Sequence, residues 1–528
     1  MKTSLRSAGG FAVPALLLVT LLTGSVRAQS SATDSPASTP SKVDLKYSFG
    51  PQPVPGFTQV KPDDNYTVDR RYGFDLGSTV SVVDHGGSDT LKAGFTTVGA
   101  NGKPFFFSAK LVPGVYRVTV TLGDSKSESI TTVKSETRRL MLEAVHTPAG
   151  TTTSKTFLTH LRVPQIPGGQ TVGLKSREKD LGTVFLYWED KKPQTFMELD
   201  WDEKLTLEFS DAHPALCTVE ITNEEKPFTV YLVGDSTMTD QMMEPWGAWG
   251  MQFPRWFKPP VVIANYAESG ESAVSFIGER RWPKLMSEIH AGDYVLIQFG
   301  INDRATAIDR FKQTVEQMVS DVRAKGAVPV LVTSQNLRSG FFGPDGKGQQ
   351  TLGNYPHTMW EVATEQKTAY IDLNVMSTSL YEAFGQDRLP ELFTPTRPAV
   401  AAVPANGDQP AIAAKPVTHD STHHSDFGSY ELAKCIVQAC IDAKLPFAQY
   451  VVDDWKTFDP KHPDSIDAFK LPMDPQFDPA CAEGLPKGPV PVAGHPGETA
   501  TPPPPAAPRG RGPAVPPVPA RAAPATST

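Results

Sequence analysis

The sequence predicts an all-β sandwich followed by an α/β domain built on a parallel, doubly wound sheet. Residues 228–233, 261–264, 294–299, 328–333 and 369–373 are continuous apolar runs, the pattern of strands buried on both faces of a parallel sheet. Ile308, Phe311, Val315, Met318, Val319 and Val322 form one helical stripe between the third and fourth runs, stopped by Gly326, and alternation of strand with helix makes a doubly wound sheet. Upstream the period changes to two: Tyr116, Val118, Val120 and Leu122 alternate with Arg117, Thr119 and Thr121, and Leu205, Leu207 and Phe209 with Thr206 and Glu208. Cys217, Val219 and Ile221 repeat that pattern, and Gly and Pro punctuate the intervals, as in an antiparallel sandwich.

The N-terminus carries Lys2 and Arg6, an apolar stretch over 11–22 and the small-residue pattern Val26-Arg27-Ala28. It reads as a signal peptide spanning 1–28, so the mature chain is expected to be secreted or periplasmic. No run approaches the roughly 20 apolar residues of a membrane span. Residues 29–43 are a Ser, Thr, Ala and Pro-rich linker, and 44–224 the sandwich. The α/β domain occupies 226–446, closed by a helix through Leu432, Cys435, Ile436 and Ala439, with an Ala, Pro and Val-rich loop insertion at 395–416. A C-terminal extension, 447–485, leads into a Pro and Ala-rich tail, 486–528, that cannot bury a core and is expected to be disordered.

Removal of Lys2, Arg6 and Arg27 with the leader takes the formal net charge from −8 to −11. That balance excludes a nucleic-acid or anionic-membrane partner. Cys435 and Cys440 are awkwardly spaced on one helix, so Cys440 with Cys481 is the expected disulfide and Cys217 a buried thiol. No Cys-x-x-Cys or His-Glu-x-x-His spacing occurs, so no metal is expected.

Ligands of an open parallel sheet bind beyond the carboxyl ends of its strands. Four segments there are chemically loaded: Gly234-Asp235-Ser236-Thr237, Ser269-Gly270-Glu271-Ser272, Gly300-Ile301-Asn302-Asp303, and Asp420-Ser421-Thr422-His423 with Gly428, entering the last helix. Together they make an acyl-transfer set. The Ser236 hydroxyl needs a base, for which His423 is the candidate, and the imidazole needs Asp420 to fix its tautomer. The backbone N–H groups of Ser236 and Gly270 and the Asn302 amide are suited to the oxyanion. Gly270 lacks a Cβ and so permits an unusual turn and close approach.

The strings Tyr231-Leu-Val-Gly-Asp-Ser-Thr237, 265–276, Gly292-Asp-Tyr-Val-Leu-Ile-Gln-Phe-Gly300 and 420–428 resemble the four blocks of SGNH (GDSL-type) hydrolases. Within that superfamily they are most similar to rhamnogalacturonan acetylesterases. The resemblance covers about 227–445 and implies a flavodoxin-like domain with a parallel five-stranded sheet. The upstream sandwich, of jelly-roll type, resembles the galactose-binding-like module that often precedes this domain. It implies Ser236 as nucleophile, Asp420 and His423 as the acid-base pair, Gly270 and Asn302 in the oxyanion hole, no cofactor, and acetylated plant cell-wall polysaccharide as partner. Two positions depart from the family pattern: Ile301 stands where relatives commonly carry His, and Glu271 replaces an Arg, which removes polar and basic character beside the triad.

Plainer readings exist for several of these residues. Asn302 could cap a helix, but Asp303 is available for that role. His419, His423 and His424 with Asp420 and Asp426 could be read as metal donors, yet the spacing of His423 to Gly428 suits a base. His357 reads as structural or as a substrate contact. Arg304 and Arg338 should both point to the mouth and could hold a sugar carboxylate, while Trp246, Trp249 and Trp256 are core or sugar platforms. Asn65-Tyr66-Thr67 fits a glycosylation acceptor. The expected activity is removal of O-acetyl groups from pectic polysaccharide. The rivals are an acetyl xylan esterase or general carboxylesterase and, from another class, a non-catalytic carbohydrate-binding protein.

Overall fold

The alternation of apolar residues inside each buried run explains why the sheet is covered on both sides. In the strand Phe228–Val233, Val230 and Leu232 face one apolar layer and Tyr231 and Val233 the other. A computed structural model describes residues 42–179, 184–186, 193–195, 198–397 and 417–472. The leader, nearly all of the linker, most of the 395–416 insertion, the end of the extension and the Pro/Ala-rich tail lie outside the described residues.

Five strands form the central sheet in the order Val261–Asn265, Phe228–Val233, Tyr294–Phe299, Val328–Thr333 and Ala369–Ile371, all parallel. The chain therefore winds outward in both directions from Phe228–Val233. The switch point lies where that strand meets Tyr294–Phe299, which is where such sheets open a crevice for ligands. On one face the helix Ile308–Ala324 buries Phe311, Val315, Met318, Val319 and Val322 against Val295, Ile297 and Leu331. Each such side chain contributes about 1.5–3 kcal/mol, so Val319→Asp should detach this helix. On the other face the helix Asp426–Asp442 buries Leu432, Ala433, Ile436 and Val437 against Val230, Leu296 and Val330.

The structure adds helices that the apolar stripes did not mark, among them Tyr355–Glu365 and Leu373–Arg388. The fifth strand is shorter than its apolar run, because the Asp372 carboxylate accepts the Val375 N–H and starts the helix at Leu373.

The upstream domain is two packed, mainly antiparallel sheets. One contains Gly114–Leu122 between Thr153–Leu161 and Leu216–Asn223; the other runs Tyr72–Asp75, Phe105–Lys110, Lys204–His213, Ser129–Ser135 and Arg139–Thr147. Phe49, Phe107, Tyr116, Val118, Leu207 and Phe209 fill the space between them. The two domains are not separate beads. Leu140 of the sandwich enters one apolar layer of the hydrolase, and Ile166, Val172 and Trp201 enter the other.

Cys440 and Cys435 are fully buried and Cys217 is buried; Cys481, the expected partner of Cys440, lies outside the described residues. Asp420 and His423 do not sit on an irregular loop. Thr418–His424 is a strand paired antiparallel with Phe393–Arg397, a ribbon hidden in the sequence because its residues are polar.

Candidate active site

The segment 234–237 leaves the first strand so close to its neighbour that only glycine fits at 234. A Cβ there would lie 2.8 Å from the Gln298 carbonyl. Asp235, wholly buried, accepts the Thr237 N–H (2.9 Å) and hydroxyl (2.7 Å) through Oδ1, which pins the turn and presents Ser236. Burial pushes the Asp235 carboxyl above its ordinary range, against the Thr237 hydrogen bonds.

The far partner arrives on the 418–424 ribbon. His423 Nε2 lies 2.9 Å from Ser236 Oγ, and His423 Nδ1 lies 3.2 Å from Asp420 Oδ2. Asp420 Oδ1 accepts the backbone N–H groups of Thr422 (2.6 Å) and His423 (2.9 Å). Burial alone would raise the Asp420 carboxyl; the hydrogen bond and charge of His423 with those two N–H groups hold it well below the usual carboxylate range. The ribbon then turns into the last helix, where the Ser425 side chain accepts the Gly428 N–H at 3.2 Å. Position 428 must be glycine, because a Cβ would sit 1.9 Å from the Leu392 carbonyl.

The second and third segments leave the same end of the sheet. Gly270 adopts φ +85°, a conformation that costs other L-residues about 1–2 kcal/mol. The Asn302 amide donates to the Glu271 carbonyl at 2.9 Å, which leaves its second N–H for an oxyanion. Asp303 does not cap the helix that follows it: its carboxylate accepts the N–H of Ala273 (2.9 Å) and of Gly300 (3.0 Å), tying the two segments together. Burial pushes Asp303 up to about 7 in spite of those bonds.

A serine, an imidazole in reach of it and a carboxylate fixing the imidazole are what acyl transfer requires. The profile of the GDSL-like lipase/acylhydrolase family matches residues 232–397. The rhamnogalacturonan acetylesterase RhgT of Bacillus subtilis is 34% identical over 234 residues, which is 43% of this chain and 96% of that protein. The chain belongs to the GDSL-like lipase/acylhydrolase family. It is a carboxylic ester hydrolase.

The domain upstream of this GDSL-like hydrolase matches, over residues 45–143, the galactose-binding domain-like family of β-agarase and YxiM-type esterases. The uncharacterized esterase YxiM of Bacillus subtilis is 26% identical over 346 residues, 63% of this chain and 80% of that protein. A solved structure of YxiM superposes over 76% of this chain and 99% of that chain, with 22% identity and a TM-score of 0.37.

Other residues of the GDSL-like hydrolase fall differently from the sequence reading. Arg338 is not free to clamp a sugar carboxylate. Its Nε donates to the Asp420 carbonyl (2.8 Å) and Nη2 to that of His419 (2.6 Å), while its backbone N–H donates to Ser421 (2.8 Å). The guanidinium is thus spent on holding the ribbon. Arg304 is exposed, with Nε on the Ile301 carbonyl at 2.8 Å. Ile301 packs with Leu337 and Leu352 in a small apolar cluster. Basic character is not missing beside Glu271. Lys175, from the sandwich domain, pairs with that carboxylate and donates to the Ser269 carbonyl at 2.5 Å. Arg177 donates to the same carbonyl at 2.8 Å and pairs with Glu268. No local signal could reveal this, since the partners are more than ninety residues apart in the chain.

Trp249 and Trp256 are core, and Trp246 is half-buried. His357 is exposed and stacks on Trp360. His424 turns inward, with Nε2 2.7 Å from the Tyr381 hydroxyl, so it does not join His419 and His423 as a donor set. Among the described residues, Glu178, Glu198 and Glu268 bring carboxylate oxygens within 4.8 Å of one another. Arg281 forks onto Glu178 and Arg177 pairs with Glu268, so ion pairs answer those charges.

Proposed function

We propose that this hydrolase removes O-acetyl groups from acetylated pectic polysaccharide of the plant cell wall, outside the cytoplasm, through an acetyl-enzyme on Ser236 and without a cofactor. The observation that carries the reading is the Ser236–His423 contact of 2.9 Å, continued to Asp420 at 3.2 Å. His423 Nε2 takes the Ser236 proton as Oγ attacks the acetyl carbonyl, and the N–H groups of Ser236 and Gly270 with the Asn302 amide receive the oxyanion. His423 then protonates the departing sugar oxygen, and a water activated by the same imidazole releases acetate. Asp420, held ionised, keeps the Nδ1 proton in place throughout.

The substrate class rests on the kinship with an esterase named for rhamnogalacturonan. Acetate release measured across acetylated rhamnogalacturonan, acetylated homogalacturonan and acetylated xylan tests it. Turnover highest on the pectic polymers supports the reading. Preference for xylan points to an acetyl xylan esterase. Failure to hydrolyse even 4-nitrophenyl acetate would leave only a carbohydrate-binding role.

A further inference from the structure

We propose that Arg138 and Arg139, carried into the hydrolase by a hairpin turn of the upstream sandwich, are positioning residues that hold the serine segment and the histidine ribbon in register. This rests on the reading of Ser236 and His423 as the acyl-transfer pair.

The turn between the strands Ser129–Ser135 and Arg139–Thr147 is built for delivery rather than for local comfort. Glu136 and Arg138 have φ of 52° and 56°, left-handed values that non-glycine residues keep only where their surroundings impose them. Both side chains are buried, and so is Arg139. The tip is anchored by Thr137, whose hydroxyl accepts the Leu199 N–H at 2.7 Å, and by Glu136, which accepts the Thr206 N–H at 3.1 Å.

From that tip the Arg138 guanidinium crosses the domain boundary and touches both halves of the triad's support. Nη1 donates to the carbonyls of Gln241 (3.0 Å) and Trp246 (2.7 Å), and Nη2 lies 2.7 Å from Glu244. These three belong to the segment that follows the serine. The same Nη2 reaches the Asp426 carboxylate at 3.1 and 3.2 Å, and Asp426 opens the helix three residues after His423. Arg139 grips the same stretch nearer the serine, with Nε and Nη2 on Asp240 at 3.0 and 2.8 Å.

From the gripped stretch, hydrogen bonds lead on to the backbone of the serine and of the histidine ribbon. The Gln241 side chain donates to the Ser236 carbonyl at 2.5 Å, and the Gly247 N–H donates to the His424 carbonyl at 2.8 Å. Asp240 also accepts from Asn265 at 2.9 Å, and Asn265 holds the Met238 carbonyl. A forked cation suits this task, because one planar group can bind two carbonyls and two carboxylates at fixed angles. Lysine keeps the charge but lacks the fork.

The full-length chain carrying Arg138→Met or Arg138→Lys tests this, with 4-nitrophenyl acetate as substrate well below each variant's melting temperature. Displacements of about 1 Å transmitted to a catalytic pair cost about 10²-fold in rate. Arg138→Met should therefore lose about that factor in kcat with KM within about twofold of wild type, and Arg138→Lys should regain part of it. A purely structural role would lower the melting temperature and leave kcat unchanged. Wild-type kcat in folded Arg138→Met, or a change confined to KM, overturns the proposal. Should the Met variant fail to fold, Arg138→Lys decides alone: lowered kcat at unchanged KM supports the proposal, and wild-type kcat overturns it. Activity retained by Ser236→Ala would instead remove the underlying reading of the site, so the two failures are distinct.

Discussion

Replacing Asp420 by asparagine should be about as damaging as a single isosteric change can be, and the geometry says why. Asp420 Oδ1 accepts two backbone N–H groups, from Thr422 at 2.6 Å and His423 at 2.9 Å. In Asp420→Asn only the amide oxygen can take that place, so the NH2 group is forced into the position of Oδ2, 3.2 Å from His423 Nδ1. Two donors cannot face each other, so the imidazole moves its proton to Nε2. That nitrogen is the atom 2.9 Å from Ser236 Oγ, and once protonated it cannot accept the serine proton. Tautomer inversion of this kind costs a serine triad about 10⁴ in kcat, equivalent to about 5.4 kcal/mol of barrier. The assay is kcat on 4-nitrophenyl acetate at pH 8, with a thermal melt to show the variant folded. A folded Asp420→Asn enzyme within tenfold of wild type would refute the reasoning.

Further outcomes follow from the same geometry. Asn302→Ala should lower kcat by about 10²–10³-fold with little change in KM, as removal of one oxyanion donor does, read by steady-state kinetics on the same ester. Gly270→Ala meets no steric clash, since its Cβ would lie 3.7 Å from Lys175 Nζ. It must still adopt φ +85°, so it should cost about 1–2 kcal/mol of local strain and lower kcat as the 270 N–H shifts; unchanged kcat would show that this N–H takes no part. Burial holds His424 down to about 3 and His160 down to about 4, both below the unfolded value of about 6.5. The unfolded chain therefore binds these protons first, and stability present above pH 6.5 is lost as the pH falls, by up to about 1.4 kcal/mol per unit for each group. Urea midpoints at pH 7, 6 and 5 should drop in the wild type and drop less steeply in His424→Gln.

The parallel sheet was legible because burial on both faces leaves unbroken apolar runs, as in 228–233 and 294–299. The strand-end rule then pointed to residues 236, 270 and 302, whose segments are tied by the Glu268 N–H on the Gly234 carbonyl (3.1 Å) and the Asn302 amide on the Glu271 carbonyl (2.9 Å). What was hidden depends on distant partners. The 418–424 strand is polar, since it pairs with 393–397 at the edge of the site rather than in the core, and so it carries no apolar signature. Arg338 and Arg304 looked alike in sequence, but one is consumed by the carbonyls of residues 419 and 420 and the other is exposed. Lys175, Arg138 and Arg139 reach the site from the other domain, and no periodicity or spacing near them encodes a partner about a hundred residues away.

Every step proposed for the hydrolysis depends on Ser236 Oγ being the atom that becomes acylated. Brief treatment with diethyl 4-nitrophenyl phosphate, followed by intact mass and peptide mapping, tests this directly. One diethylphosphoryl group on Ser236, absent from His423→Ala, is the predicted result. A stoichiometric adduct on any other residue, or ester turnover undiminished in Ser236→Ala, would contradict it.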